Sequence, residues 1–371
     1  MPFELRTTFP EAPDRDRFRP LAFRIAGMGV RRIRLLVRWP SVEPEPEVYK
    51  WDDFDAAIEA IREAGMGVYA DVVDAPAHAL GYLNDDGTWT PHPWGGYRYW
   101  LPPDAGQVLP TCWKPEDPAT HRGGPFDPIY DTSISPECAN PPRVMPACTR
   151  RFASALVRHC MERGITDVHF GYGNEMDSEN FFPLWVLVRT KYNGEWAAVT
   201  RMIYNDVTRP FAQGVKDVDP DAFVEANESA TYGMLIETLR SEKEAGDHLI
   251  DGIATHGYPD ADFLGFPAGA IDRITRTNGG LLKYLSDSGL QNGRPWGIGE
   301  VGLNPDDDVM SILDYLPVMC HLGAQWVTLM EAERFFVPGT YANGTYEPGD
   351  VYRGIAAQMS RFTARHRAAR S

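Results

Sequence analysis

Apolar positions along this chain recur with two periods that take turns. Phe3 to Thr8 (FELRTT) alternates as a strand does, and Arg15 to Gly29 carries Phe18, Leu21, Ala22, Ile25 and Ala26 at helical spacing. Arg32 to Trp39 (RIRLLVRW) reads as a second strand. Trp51 to Gly65 reads as an amphipathic helix with Phe54, Ala57, Ile58 and Ile61 on one face and Gly65 as its stop. Gly67 to Asp74 (GVYADVVD) is a third strand. After residue 146 the rhythm resumes. Strands are predicted at 167–172, 222–227, 252–256, 295–299 and 325–330, with helices at 149–163, 195–218, 234–244, 268–288, 309–322 and 352–367. Alternating βα units imply a parallel sheet, and eight of them imply closure into one α/β (β/α)8 barrel spanning 1–371. An open doubly wound sheet would show a glycine-rich turn between an early strand and its helix. Gly27-Met-Gly-Val30 instead ends a helix, so that fingerprint is missing.

Between residues 76 and 146 the periodicity lapses into a stretch rich in Pro, Gly, Trp and Tyr. A long irregular segment inside a compact fold is expected to be functional. It follows the third strand, on the side where barrel active sites are built, and is read as an insertion capping the pocket.

Composition narrows the function. Of the 371 residues, 43% are hydrophobic, enough for a large core, and no apolar run reaches membrane-spanning length. The N-terminus shows no signal-peptide pattern, so the protein either stays in the cytoplasm or has had a leader removed. The net charge of −16 opposes binding to nucleic acid. The five cysteines include no Cys-x-x-Cys pair, which argues against zinc, and Cys112, Cys138 and Cys148 are placed to include a disulfide or to remain buried thiols.

Two glutamates end apolar runs at the C-terminal ends of predicted strands: Glu175 closes HFGYGNE on the fourth, and Glu300 closes WGIGE on the seventh. Those strands face each other across an eight-strand ring. Two carboxylates over one pocket are the minimum for breaking a glycosidic bond, one donating a proton and the other attacking. A retaining enzyme needs them about 5 to 5.5 Å apart. Asn174 is placed to hydrogen-bond a sugar hydroxyl. Arg34, charged within an apolar strand, needs a buried counter-ion, and Glu300 is the expected one; its cation would keep Glu300 ionised while Glu175 stays protonated. Arg38 lies on the same strand face. His256 and Tyr258 leave the sixth strand, where the tyrosine can hydrogen-bond the nucleophile and the histidine can line the pocket. Asp74 and His78 follow the third strand as candidate hydroxyl ligands. Trp39, Trp89, Trp94, Trp100, Trp113 and Trp185 are candidate stacking platforms for a sugar.

These residues resemble the retaining (β/α)8 glycoside hydrolases of clan A. The resemblance rests on Arg34, Trp39 with Glu43-Pro44, Asn174-Glu175, His256-Gly-Tyr258-Pro259 and Glu300, in the expected order. Within the clan, GNEMDSENFF, VKDVDPDA and DGIATHGYP are similar to family 39, the β-xylosidase and α-L-iduronidase group. The resemblance implies Glu175 as acid/base and Glu300 as nucleophile, acting on a β-linked neutral glycoside or oligosaccharide with no cofactor or metal. Two departures stand out. Met176 replaces the proline that often follows Asn-Glu, and Met330 or Glu331 stands where a tryptophan often ends the eighth strand. A barrel that binds carbohydrate without cleaving it is the alternative, opposed by the presence of both carboxylates with Arg34 and Tyr258. A metal hydrolase would need several strand-end histidines and aspartates, of which only His256 and Asp74 stand out.

Overall fold

The structure is a computed structural model; it describes residues 3–9, 15–91, 113–115, 128–130, 143–174, 176, 196–226, 232–256, 281–301, 309–330, 332–337, 339–340 and 344–368. Eight parallel strands form one sheet: β1 (Glu4–Thr8), β2 (Arg32–Arg38), β3 (Gly67–Val73), β4 (Val168–Tyr172), β5 (Phe223–Val224), β6 (Ile253–His256), β7 (Trp296–Val301) and β8 (Trp326–Leu329). Their order follows the chain around a ring. β1 pairs with both β2 and β8, and the circuit from β5 to β6 is completed by the parallel bridge between Glu225 and Gly252. This is the predicted (β/α)8 barrel.

The outer faces of the strands are apolar. Ile33 and Val37 on β2 and Val68, Ala70 and Val72 on β3 are all buried, as are Phe54, Ala57, Ile58 and Ile61 on helix Asp52–Glu63. Alternation then turns the even-numbered residues of β2 inward, and their partners identify that face: Arg34 reaches β7, on the far side of the ring.

The barrel interior is polar in two tiers. In the lower one, Arg6 of β1 is fully buried and donates to Glu225 Oε1 at 2.7 Å. Its guanidinium lies 4.5 Å from the centre of the Trp326 ring, a cation–π contact. His169 Nδ1 lies 2.8 Å from the same Glu225 oxygen. Glycine makes room for these rings. A Cβ at Gly297 would overlap the Trp326 indole, and one at Gly171 would overlap the Tyr69 hydroxyl. The upper tier begins two residues along, where Arg34 pairs in register with Thr8.

Element boundaries lie within a few residues of those expected, with some differences. Helix Pro146–Glu162 starts earlier than predicted, with proline in the first turn where its missing N–H costs nothing. The predicted helix 195–218 runs as Trp196–Ile203, one wide turn at Tyr204–Thr208, and Arg209–Val218. Pro210 explains the wide turn. It cannot donate to the Asp206 carbonyl, which instead accepts from the Thr149 hydroxyl at 3.4 Å. Within 76–146, read as irregular, the described residues include short strands: Leu80–Leu83 pairs with Trp89–Pro91 and Arg143–Val144, and Trp113–Pro115 with Pro128–Tyr130. These are too short to show a period. Among the described residues Cys148, Cys160 and Cys320 carry no disulfide, whereas Cys112 and Cys138 lie outside them. No helix among the described residues is long and apolar enough to cross a membrane.

Candidate active site

Arg34 organises the C-terminal mouth of the barrel. Its side chain is 1% exposed, and burying a guanidinium is costly unless its N–H groups find acceptors. Three strands supply them. Nη1 donates to Glu300 Oε2 at 2.8 Å, Nη2 donates to Asn174 Oδ1 at 2.6 Å, and Nε and Nη2 both donate to Asp71 Oδ2, at 3.1 and 2.7 Å. One planar cation thus ties the end of β4 to the end of β7 and both to β3.

Local irregularities aim these side chains. The pairing of β7 with β8 slips between Ile298 and Val301, and that of β6 with β7 slips at His256, whose partner is Glu300. Such bulges re-aim a side chain at a strand end. Glu300 therefore lies inside β7, one residue earlier in the exit than the sequence suggested. His256 is buried with Nε2 3.7 Å from Glu300 Oε2. At the end of β4, Gly173 adopts a φ of +98°, a conformation glycine tolerates, and turns the chain into Asn174. A Cβ at Gly173 would overlap the Met176 sulfur. Met176, the departure from Asn-Glu-Pro, is itself buried and fills that space. At the end of β8, Met330 Sδ lies 3.9 Å from Arg34 Nη1, so a thioether stands near the guanidinium there.

The other candidates divide. Asp74 sits on the rim after β3 with φ +65°, a strained value for a non-glycine residue. Its carbonyl accepts from the Tyr172 hydroxyl at 2.5 Å and its carboxylate from Arg38 at 2.9 Å. Trp39 is wholly buried and stacks on Phe152 with ring centres 4.8 Å apart, so it is a core residue and no sugar platform. Its indole N–H donates to Glu43 at 2.6 Å. Glu43 also accepts from Arg151 and the Glu47 backbone, and His78 Nε2 lies 3.7 Å away. Burial alone would raise the Glu43 carboxyl, but the nearby His78 ring and the hydrogen bonds from Trp39, Glu47 and Arg151 outweigh it and bring its pKa to about 2. His78 thus faces a structural carboxylate beside the core tryptophan. The Trp89 ring carries the Arg143 guanidinium 5.4 Å from its centre. Glu175, Tyr258, Trp94, Trp100, Trp185 and Glu331 lie outside the described residues, as does the Trp113 side chain.

Arg34, Asn174, His256 and Glu300 are therefore brought together, while Trp39 and His78 gather around the buried Glu43. Asp71 was not anticipated. Its signal was a charge within the otherwise apolar GVYADVV, the same argument that singled out Arg34. Among the described residues no group of His, Cys, Asp and Glu is arranged to hold a metal ion.

A closed ring of eight βα units, with its polar centre at the C-terminal strand ends, defines the (β/α)8 barrel class. The solved structures similar to it include glycoside hydrolases. An exo-β-1,4-mannosidase from Opitutaceae bacterium strain TAV5 superposes with a TM-score of 0.56 at 15% identity, over 98% of this chain and 60% of that one. A family 39 glycoside hydrolase from the gut symbiont Bacteroides cellulosilyticus matches with 0.53 at 16%, over 97% and 64%. The catalytic domain of a β-amylase from Paenibacillus polymyxa matches with 0.52 at 10%, over 97% and 98%. The chain thus spans about three-fifths of the first two neighbours. The resemblance to clan A and family 39 is borne out at the level of the fold. No family model matches the sequence, and no curated protein matches it.

Proposed function

We propose that this chain is a retaining glycoside hydrolase acting on a β-linked, neutral glycoside or oligosaccharide, with Glu300 as nucleophile and Glu175 as acid/base. The observation that carries the reading is the Arg34 guanidinium, which holds Glu300 at 2.8 Å and Asn174 at 2.6 Å. A cation in hydrogen-bond contact favours the ionised carboxylate that attack on an anomeric carbon requires. Asn174 immediately precedes Glu175 in the chain, so the strand end carrying the proposed proton donor is tied to the strand end carrying the nucleophile.

In the first step Glu300 attacks the anomeric carbon while Glu175 protonates the departing oxygen. In the second, Glu175 takes a proton from water, which cleaves the glycosyl ester and restores both groups. Tyr258, by its place after β6, would donate to Glu300. Asp74 with Arg38 would meet hydroxyls on the β3 side of the mouth. The insertion 76–146 would cap the bound sugar.

The test is a panel of 4-nitrophenyl glycosides with the wild type and Glu300→Ala. The wild type is expected to cleave at least one β-glycoside and Glu300→Ala none, with the first product appearing as the β-anomer by NMR. An equally active Glu300→Ala removes the nucleophile assignment. Sugar affinity without turnover across the panel would instead support a carbohydrate-binding barrel.

A further inference from the structure

We propose that Asp71 is a positioning residue for the reaction, setting the orientation and the effective charge of Arg34 and, through it, the reactivity of Glu300; this rests on the reading of Glu300 as nucleophile. Asp71 is fully buried on β3 between the outward-facing Ala70 and Val72. A carboxylate there cannot be solvated, so it persists only by pairing. It accepts from Arg34 twice, at 3.1 Å from Nε and 2.7 Å from Nη2.

The geometric consequence follows from the rigidity of the guanidinium fork. Once Nε and one N–H of Nη2 are committed to Asp71 Oδ2, the plane of the group is fixed. The remaining Nη2 hydrogen then points at Asn174 Oδ1 and Nη1 at Glu300 Oε2. Without Asp71 the fork can rotate toward either acceptor and lose the other. The electrostatic consequence is separate. A lone cation would bind the Glu300 carboxylate tightly and blunt its attack. Asp71 brings the Arg34 pair to zero net charge, so Glu300 keeps a directed hydrogen bond while meeting a partly compensated positive charge. The described side chains facing Glu300 are Arg34 from β2, His256 from β6 and, beside the guanidinium, Met330 from β8. Asp71 is linked to it through Arg34, which contacts both carboxylates.

The experiment measures kcat and KM against pH for the wild type, Asp71→Asn, Arg34→Gln and the double variant, on whichever 4-nitrophenyl glycoside the wild type cleaves. Asparagine keeps an acceptor oxygen and loses the charge. Asp71→Asn is expected to lower kcat by about 10-fold or more with KM little changed, since the interaction serves the transition state. The acidic limb of kcat/KM is expected to move to lower pH by about half a unit or more, because Glu300 loses a neighbouring negative charge. His256 is retained in all four proteins, so its own titration is common to them. The double variant is expected to be no worse than Arg34→Gln alone, because Asp71 acts through that side chain. If Asp71→Asn does not fold, Asp71→Ser, which leaves space for water beside Arg34, carries the same comparison. An unchanged kcat with an unmoved acidic limb overturns the inference, as do losses that multiply in the double variant. Inactive Glu300→Ala alongside an unaffected Asp71→Asn would sink this inference alone. Active Glu300→Ala, or no cleavage of any glycoside, would sink the nucleophile assignment and this inference with it.

Discussion

A charged residue inside an apolar strand has to be accounted for, and at Arg34 that rule leads to the centre of the candidate site. The same rule applies to Asp71, a lone charge within the apolar run of β3, and it points to the partner of Arg34. Trp39 shows the opposite failure. Its place after β2 suggested a sugar platform, but its N–H is held by nearby Glu43 and its ring is stacked on Phe152, a contact with a residue distant in sequence. At this scale the proposed roles of the two glutamates can be separated kinetically. Glu175→Ala should lose about 10²- to 10⁴-fold on a glycoside whose leaving alcohol needs protonation, the usual worth of a general acid. On a 4-nitrophenyl glycoside, whose phenolate leaves unaided, the first step should be largely spared and a burst of nitrophenolate should precede slow turnover. Equal losses on both substrates would show that Glu175 is not the proton donor.

Strands and helices were legible wherever their period ran for several turns. Helix Asp52–Glu63 and strand β3 fall within two residues of their predicted ends, because each has one apolar face and a polar boundary. The wide turn at Tyr204–Thr208 has its signal in Pro210 and not in the apolar spacing, which by itself predicts one unbroken helix. The short strands within 76–146 were also hidden, as three or four residues give no period to read. The glycines of β4 and β7 gain their meaning only in the barrel, where Gly171 and Gly297 leave space for Tyr69 and Trp326. Gly297→Ala should therefore overpack the interior and destabilise the protein by about 1–3 kcal/mol. Urea denaturation is the check: an unchanged midpoint would mean that the indole of Trp326 does not press on β7.

At the scale of the whole molecule, the buried ions of the barrel interior make stability depend on pH. Burial alone would raise the Glu225 carboxyl. The Arg6 charge and the His169 contact outweigh it and bring its pKa to about 2, against an ordinary 4.5. Between those values the unfolded chain binds the proton more readily, so the stabilisation present above 4.5 is lost as pH falls toward 2. Glu43, also at about 2, acts in the same direction. Burial lowers His169 below its ordinary 6.5, so below that pH the unfolded chain again takes up the proton first. The melting temperature should thus decline from neutral pH downward and fall steeply below about pH 4.5. A flat profile from pH 7 to pH 3 would contradict the network. Glu225→Gln, which leaves Arg6 with a neutral partner inside the barrel, should cost about 3–5 kcal/mol by urea denaturation; a loss within experimental error would contradict its role.

Sequence alone determined the alternation of elements, hence the closed parallel barrel, because helical and strand periods are properties of neighbouring residues and eight βα units have few ways to bury their apolar faces. It also determined which side chains could not be buried without partners. Beyond Glu300, expected beside Arg34 from the sequence, only the tertiary structure decided who those partners are. The guanidinium that joins Asp71, Asn174 and Glu300 gathers three strand ends separated by more than a hundred residues, and such a meeting depends on closure of the ring and on bulges at β6 and β7 that leave no periodic trace in the chain.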